Sequence, residues 1–144
     1  MAGSDRQELE GKGFRLWRSV EDRSFARHGR TDKEYWHGKD RQFIMIWRDC
    51  ETGVAFRERW LDVANPWHPW RMGGICHRLD GPAVTKRDRF TGAVIYEAQH
   101  VGGKKISECH YPQNESEASR AFRGLPRASA IWPARGTPPQ LAAL

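Results

Sequence analysis

The stretch "HGKDRQFIMIWRDCETGVAFRERWLD" (His37 to Asp62) reads as an imperfect copy of "HRLDGPAVTKRDRFTGAVIYEAQHVG" (His77 to Gly102). His37 and Asp40 fall on His77 and Asp80 at an offset of forty. After one residue of slippage, Arg48, Asp49, Thr52, Gly53 and Glu58 fall on Arg87, Asp88, Thr91, Gly92 and Glu97 at an offset of thirty-nine. Self-similarity at a fixed period marks a chain built from repeated supersecondary units. The slippage lies between Asp40 and Arg48, where the first copy lacks the Gly81-Pro82 step.

Each copy reads as strand, loop, strand. Phe43 to Trp47 is a short apolar run of β-formers, broken by "RDCETG". "VAFRERWL" then alternates, with Val54, Phe56, Glu58 and Trp60 expected on one face and Arg57 and Arg59 on the other. In the second copy "PAVTKR" enters the loop "DRFTG" and "AVIYEA" leaves it. Gly53 and Gly92 stand where a hairpin loop needs a positive φ. Tandem hairpins predict a mostly β fold, an antiparallel meander, over residues 13–111.

Outside the repeat, Gly13 to Val20 alternates as a further strand on the N-terminal side of the sheet. "NPWHPWRMGG" (Asn65 to Gly74) has two prolines that exclude a central strand, and reads as a Trp-rich linking loop. Residues 1–12 read as a flexible N-terminus. "NESEASRAFRGLP" predicts one short C-terminal helix over about 115–123, with Asn114 as cap and Gly124 and Pro126 as stop. The Pro-, Ala- and Gly-rich remainder of 112–144 reads as a loosely held tail.

"GGICHRLDGPAV" followed by a Thr-Gly turn and "VIYE" resembles the HRxDGPA-type repeat of MORN-like proteins of phages and large DNA viruses. The match covers His77, Arg78, Asp80, Gly81, Pro82 and Ala83, with Trp70 and Gly74 upstream. The copy at His37 keeps His37 and Asp40 but has Gly38 for the arginine and Arg41-Gln42-Phe43 for Gly-Pro-Ala. A third partial unit starts at "HVGGKKIS" (His100 to Ser107). The resemblance implies a β-hairpin repeat used for contact with other molecules rather than for a reaction.

The chain's 144 residues allow one domain of ordinary size, and its seven Trp, six Phe and three Tyr offset an apolar fraction of only 38%. No window approaches eighteen apolar residues, and the charged "MAGSDRQELEGKG" lacks the apolar run of a signal peptide, so a cytoplasmic protein without a membrane partner is expected. Cys50, Cys76 and Cys109 form an odd, widely spaced set, which favours free thiols over a disulfide framework.

Two adjacent Cys-His pairs, Cys76-His77 and Cys109-His110, with Cys50, would make a Cys3His zinc site on paper. Neighbours on an extended strand cannot easily point at one ion, and no Cys-x2-Cys knuckle exists, so no metal or cofactor is expected. His77 with Asp80, and His37 with Asp40, resemble imidazole-carboxylate pairs that poise a general base. A repeated pair is a poor fit to a single active site. A turn accounts for both copies: Asp80 accepts from backbone donors, Gly81 relieves crowding before Pro82, and His77 and Arg78 brace the turn. Glu58 and Glu97, each among apolar neighbours, need partners. His37 or Arg41 is the candidate for Glu58, and His77 or Arg78 for Glu97.

Lys and Arg total 24 against 18 acids, giving a net charge of +6, and arginine supplies eighteen of the 24. Such a balance suits phosphates or acidic protein surfaces. Trp17 and Trp36 are expected in the core, with arginines coating a solvated face. Arg15, Arg18, Arg23, Arg27 and Arg30, with Arg57 and Arg59 on the outward strand face, are the candidate contact residues. The sequence points to a non-enzymatic interaction protein whose partner is a host protein or nucleoprotein complex. A phage or mobile-element inhibitor of a host defence nuclease complex fits the resemblance. Direct nucleic-acid binding by the same basic surface is the second reading, and exposed edge strands leave homodimerisation open.

Overall fold

The computed structural model describes residues 2–25, 29–63 and 74–123. It is mostly β: eight antiparallel strands form one meander sheet, with a short helix at each end. In chain order these are helix α1 (Ala2–Gly11) and strands β1 (Arg15–Glu21), β2 (Thr31–His37), β3 (Gln42–Asp49) and β4 (Ala55–Asp62). Strands β5 (Ile75–Cys76), β6 (Val84–Arg87), β7 (Val94–Val101) and β8 (Lys104–His110) and helix α2 (Glu117–Arg123) follow. The spatial order is β1-β2-β3-β4-β6-β7-β8, and two-residue β5 pairs with the far end of β4. Among the described residues, β1 and β8 end the sheet. Residues 64–73, which hold the linking loop up to Gly74 and include Trp70, and the tail from 124 onward lie outside the described residues. Among those described, no helix is long and apolar enough to cross a membrane.

The two repeat loops are built alike. Asp49 Oδ1 accepts from the backbone N–H of Glu51 and Thr52, and Asp88 Oδ1 from that of Phe90 and Thr91. The Thr52 and Thr91 hydroxyls accept from the next N–H but one. Gly53 and Gly92 close the loops at φ 78° and 82°, a region where a Cβ meets the backbone. The strand that follows each loop carries an extra residue at the same place, Phe56 in β4 and Ile95 in β7. This bulge corrects the simple alternation expected for β4. Ala55, not Phe56, joins the cluster around Trp60, and Phe56 packs edge-on against Phe25 at 5.3 Å.

The main core lies between the sheet and α1, where Leu9 and Phe14 meet Trp36, Ile44, Ile46, Ala55, Trp60 and Ala83. Burying each large member is worth about 1.5–3 kcal/mol. The flexible reading of residues 1–12 is therefore corrected. Leu9 inserts into the core, and Arg6 of the same helix pairs with fully buried Glu34. Gly13, at φ 94°, turns the chain back so that the Phe14 N–H bonds to the Leu9 carbonyl. Trp36 is 1% exposed as expected in the core, whereas Trp17 is 47% exposed, set out by a bulge in β1. Helix α2 starts two residues later than its sequence suggests. Ser116, not Asn114, accepts at the cap from the Ser119 N–H, while Asn114 donates to the Val94 carbonyl.

The glutamate pairings expected from the sequence are also corrected. Glu34, Glu58 and Glu97 occupy one face of β2, β4 and β7, and each meets a residue two places beyond its register partner on the next strand. Glu34 lies opposite Ile46 and binds Arg48. Glu58 lies opposite Thr85 and pairs with Arg87 at 3.5 Å, and Glu97 lies opposite Cys109 and accepts from the Tyr111 hydroxyl at 3.1 Å. Trp36 and Trp60 each donate their indole N–H to the glutamate two residues before them. His37, Arg41, His77 and Arg78 are not the partners, because the register of the next strand, rather than the motif itself, brings the donor, an arginine for Glu34 and Glu58 and a tyrosine hydroxyl for Glu97.

Candidate functional site

Two places gather the residues singled out by sequence. The first is the turn at Cys76 to Val84. His77 Nδ1 accepts the Gly102 N–H at 2.9 Å, which ties the motif to the β7–β8 hairpin. Arg78 Nε donates to Asp80 at 2.9 Å, its second arm reaches the Pro82 carbonyl, and its guanidinium carbon lies 3.7 Å from the Trp60 ring centroid. Asp80 is held below the usual carboxylate range, first by the Arg78 hydrogen bond. The His77–Asp80 base pair considered above is therefore not assembled. Asp80 serves Arg78, and His77 serves a backbone amide. Beside the turn a cleft of about 650 Å³ is bordered by Lys12, Lys39 and exposed Leu79.

The second place is the sheet face turned away from α1. Antiparallel register aligns Lys33, Trp47, Arg57, Lys86, Tyr96 and His110 as one row running across six consecutive strands. At about 4.8 Å per strand the row is roughly 24 Å long. Its members support one another. Lys33 lies 4.8 Å and Arg57 5.3 Å from the Trp47 ring, Lys86 lies 5.2 Å from Tyr96, and the Tyr96 and His110 rings are 4.8 Å apart. Two residues along each strand runs a second row, Arg18, Tyr35, Met45, Arg59 and Val84.

Charge on this face is poorly compensated. Among the described residues Arg57 and Lys86 make no ion pair, and the Arg57 Nε is buried without an acceptor. Among the described residues Arg59 directs its side-chain hydrogen bond to the Cys76 sulfur, at 3.8 Å. Burial, then the neighbouring Arg59, pushes Arg57 below the ordinary guanidinium value. Burial, then Arg57, Arg59 and Lys105, does the same for Lys86. The nearest carboxylates are committed: Asp22 accepts from Ser24 and the Trp47 indole, and Glu108 from Tyr96 and Lys105. Glu108 is driven down to about 2, first by Lys105 and then by Tyr96.

Of the candidate contact arginines, Arg15, Arg18, Arg57 and Arg59 share this face by register. Arg23 lies in a one-turn 3-10 helix, Arg30 pairs with Asp32 at 3.5 Å, and Arg27 falls outside the described residues. Lys33, Lys86 and Tyr96 were missed, because their grouping exists only once the strands are in register. Buried Arg48 and Arg89 were missed as well. Arg89 reaches back forty residues to Asp49, and to Thr31. The recurrence of Arg-Asp before each loop was the signal that could have found Arg48.

Cys50, Cys76 and Cys109 are free thiols, and among the described residues no three His, Cys, Asp or Glu side chains gather as a metal site. No family model, curated protein or solved structure matches the chain.

Proposed function

We propose that the protein is a non-catalytic interaction module that holds an acidic macromolecular partner against the cation-bearing face of its sheet. The observation that carries this reading is the grouping of Arg57, Arg59 and Lys86 on adjacent strands, where among the described residues no carboxylate pairs with any of them. Asp22, which acts on Arg57, is already engaged by Ser24 and Trp47, while burial and neighbouring cations depress Arg57 and Lys86. Neighbouring like charges destabilise the isolated fold, and an incoming anion relieves them. The likeness of Cys76–Val84 to MORN-like repeats supports a contact scaffold. It extends the proposal to a cytoplasmic factor of a phage or mobile element that inhibits a host defence nuclease complex by occupying one of its protein surfaces.

Direct nucleic-acid binding is the second reading, favoured by aromatic rings interleaved with the cations. Against it, Trp47 is 6% exposed beneath Lys33 and Arg57 and offers no ring face to a base. Affinity capture from a host lysate, with and without nuclease and across a salt series, separates the two. A protein partner that survives nuclease and moderate salt, and is lost with the Arg57→Glu/Lys86→Glu variant, supports the proposal. Recovery of nucleic acid alone, with affinity falling steeply in salt, replaces it by the second reading.

A further inference from the structure

The cationic row does not stand alone, and its neighbour specifies the partner further. About 6.8 Å away along the strands, the second row carries half-buried Tyr35 and Met45 between Arg18 and Arg59, then half-buried Val84 beyond Arg59, and it continues through Ala98 to Glu108. The face thus presents a charged line beside a mainly apolar line. A phosphate backbone matches the first and leaves the second against nothing apolar. A folded acidic domain would match the charges in no fixed spacing.

The spacing of the charges narrows the choice. Taking about 4.8 Å per strand, Arg57 lies about 10 Å and Lys86 about 14 Å from Lys33 along the row. An extended peptide repeats on one face every 6.8 Å or so and misses the 10 Å step. An α-helix rises 1.5 Å per residue, so carboxylates at i, i+7 and i+11 lie on one edge at about 10 and 16 Å. Long Lys and Arg stems absorb the small remainder. Apolar residues at i+1, i+8 and i+12 then form an adjoining stripe.

Resting on the reading above, we infer that the face receives an amphipathic acidic helix of a partner protein laid across the strands. Its carboxylates lie over Lys33, Arg57 and Lys86, and its apolar stripe lies over Tyr35, Met45 and Val84. Helix-in-groove recognition of this kind draws affinity from the apolar stripe and orientation from the charges.

The test is fluorescence anisotropy on the full chain with three probes. One is a helical peptide with Glu at i, i+7 and i+11 and Leu at i+1, i+8 and i+12. The others are a scrambled peptide of the same composition and a single-stranded oligonucleotide of similar charge. The patterned peptide is expected to bind at least tenfold tighter than either. Arg57→Gln is expected to weaken it more than tenfold, and Met45→Ser severalfold with binding of the scrambled peptide unchanged, both variants keeping the parent thermal midpoint within a few degrees. Equal binding of both peptides overturns the helix inference and leaves the acidic-partner reading standing. Tighter binding of the oligonucleotide overturns both, as does binding of none of the three.

Discussion

Arg78 fills the space that a side chain at Gly81 would need: a Cβ there would come within 2.9 Å of the guanidinium carbon. The guanidinium is fixed between the Trp60 ring, Asp80 and the Pro82 carbonyl, so it cannot yield without losing those contacts. Gly81→Ala and Arg78→Ala should each cost about 1–2 kcal/mol. In the Arg78→Ala background, Gly81→Ala should cost less than half its value alone. Urea unfolding of the four-member cycle measures this coupling, and strict additivity would show that the two residues do not share the space.

Buried Glu34 accepts from Arg6, Trp36 and Arg48, whereas Glu58 is partly solvated and has two partners. Removing one side of a buried ion pair leaves the other charge stranded, so Glu34→Ala should destabilise by about 3–5 kcal/mol. Glu58→Ala should cost about 1–2 kcal/mol. Comparable losses in denaturant melts would contradict the ranking.

The same glutamate sets a pH dependence. Burial raises the Glu34 pKa, but the Arg48, Arg6 and Trp36 hydrogen bonds outweigh it and hold it below the ordinary value. The folded state then binds the proton less readily than the unfolded chain. The stabilisation is complete above the ordinary glutamate pKa of about 4.3 and is lost as pH falls through the lower folded value. Thermal midpoints should drop below about pH 4. The Glu34→Gln variant, already less stable, should show a shallower drop, and a parallel one would assign acid sensitivity to other groups.

Asp88 joins its own loop to the start of α2, since its second oxygen accepts the Ser116 N–H at 2.7 Å. Asp88→Ala strands three backbone donors, costing about 2–3 kcal/mol. Hydrogen exchange should show the α2 amides losing protection before those of β3 and β4. Uniform loss would mean that the helix is not held through this oxygen.

A face tuned for a partner carries a stability cost in the free protein. Lys86→Met keeps contact with Tyr96 and removes one of the crowded cations. It should raise the thermal midpoint by about 2–4 °C while weakening capture of the partner. A lower midpoint would show that the row is not under repulsion.

The loops were legible in the sequence because their chemistry is local. An Asp that accepts from the second and third residues beyond it, and a Gly at positive φ, sit within five positions of each other. The meander followed from the doubling of that unit. Helix α1 was not legible, since its described part holds the sheet through one buried leucine and two charged residues whose partners lie far along the chain. The row from Lys33 to His110 was invisible for a related reason. It passes beside one-residue bulges at Phe56 and Ile95, and nothing local distinguishes a bulged residue from a paired one. Arg57 and Arg59 were found because alternation within a single strand exposes them, whereas Lys33 and Lys86 needed neighbours from other strands.

Three loop aspartates are divalent: one oxygen serves its own turn and the other reaches onward along the sheet, from Asp22 to Trp47, from Asp49 to Arg89 and from Asp88 to Ser116. A chain of such links requires an end group, and the N–H of Ser116, the cap of α2, supplies it. The array thus behaves like a polymer closed by a terminator. A duplicated hairpin inserted ahead of Asp88 would meet compatible ends on both sides, so the length of the sheet, and with it the reach of the cationic row, can change by whole units without redesign of the interior.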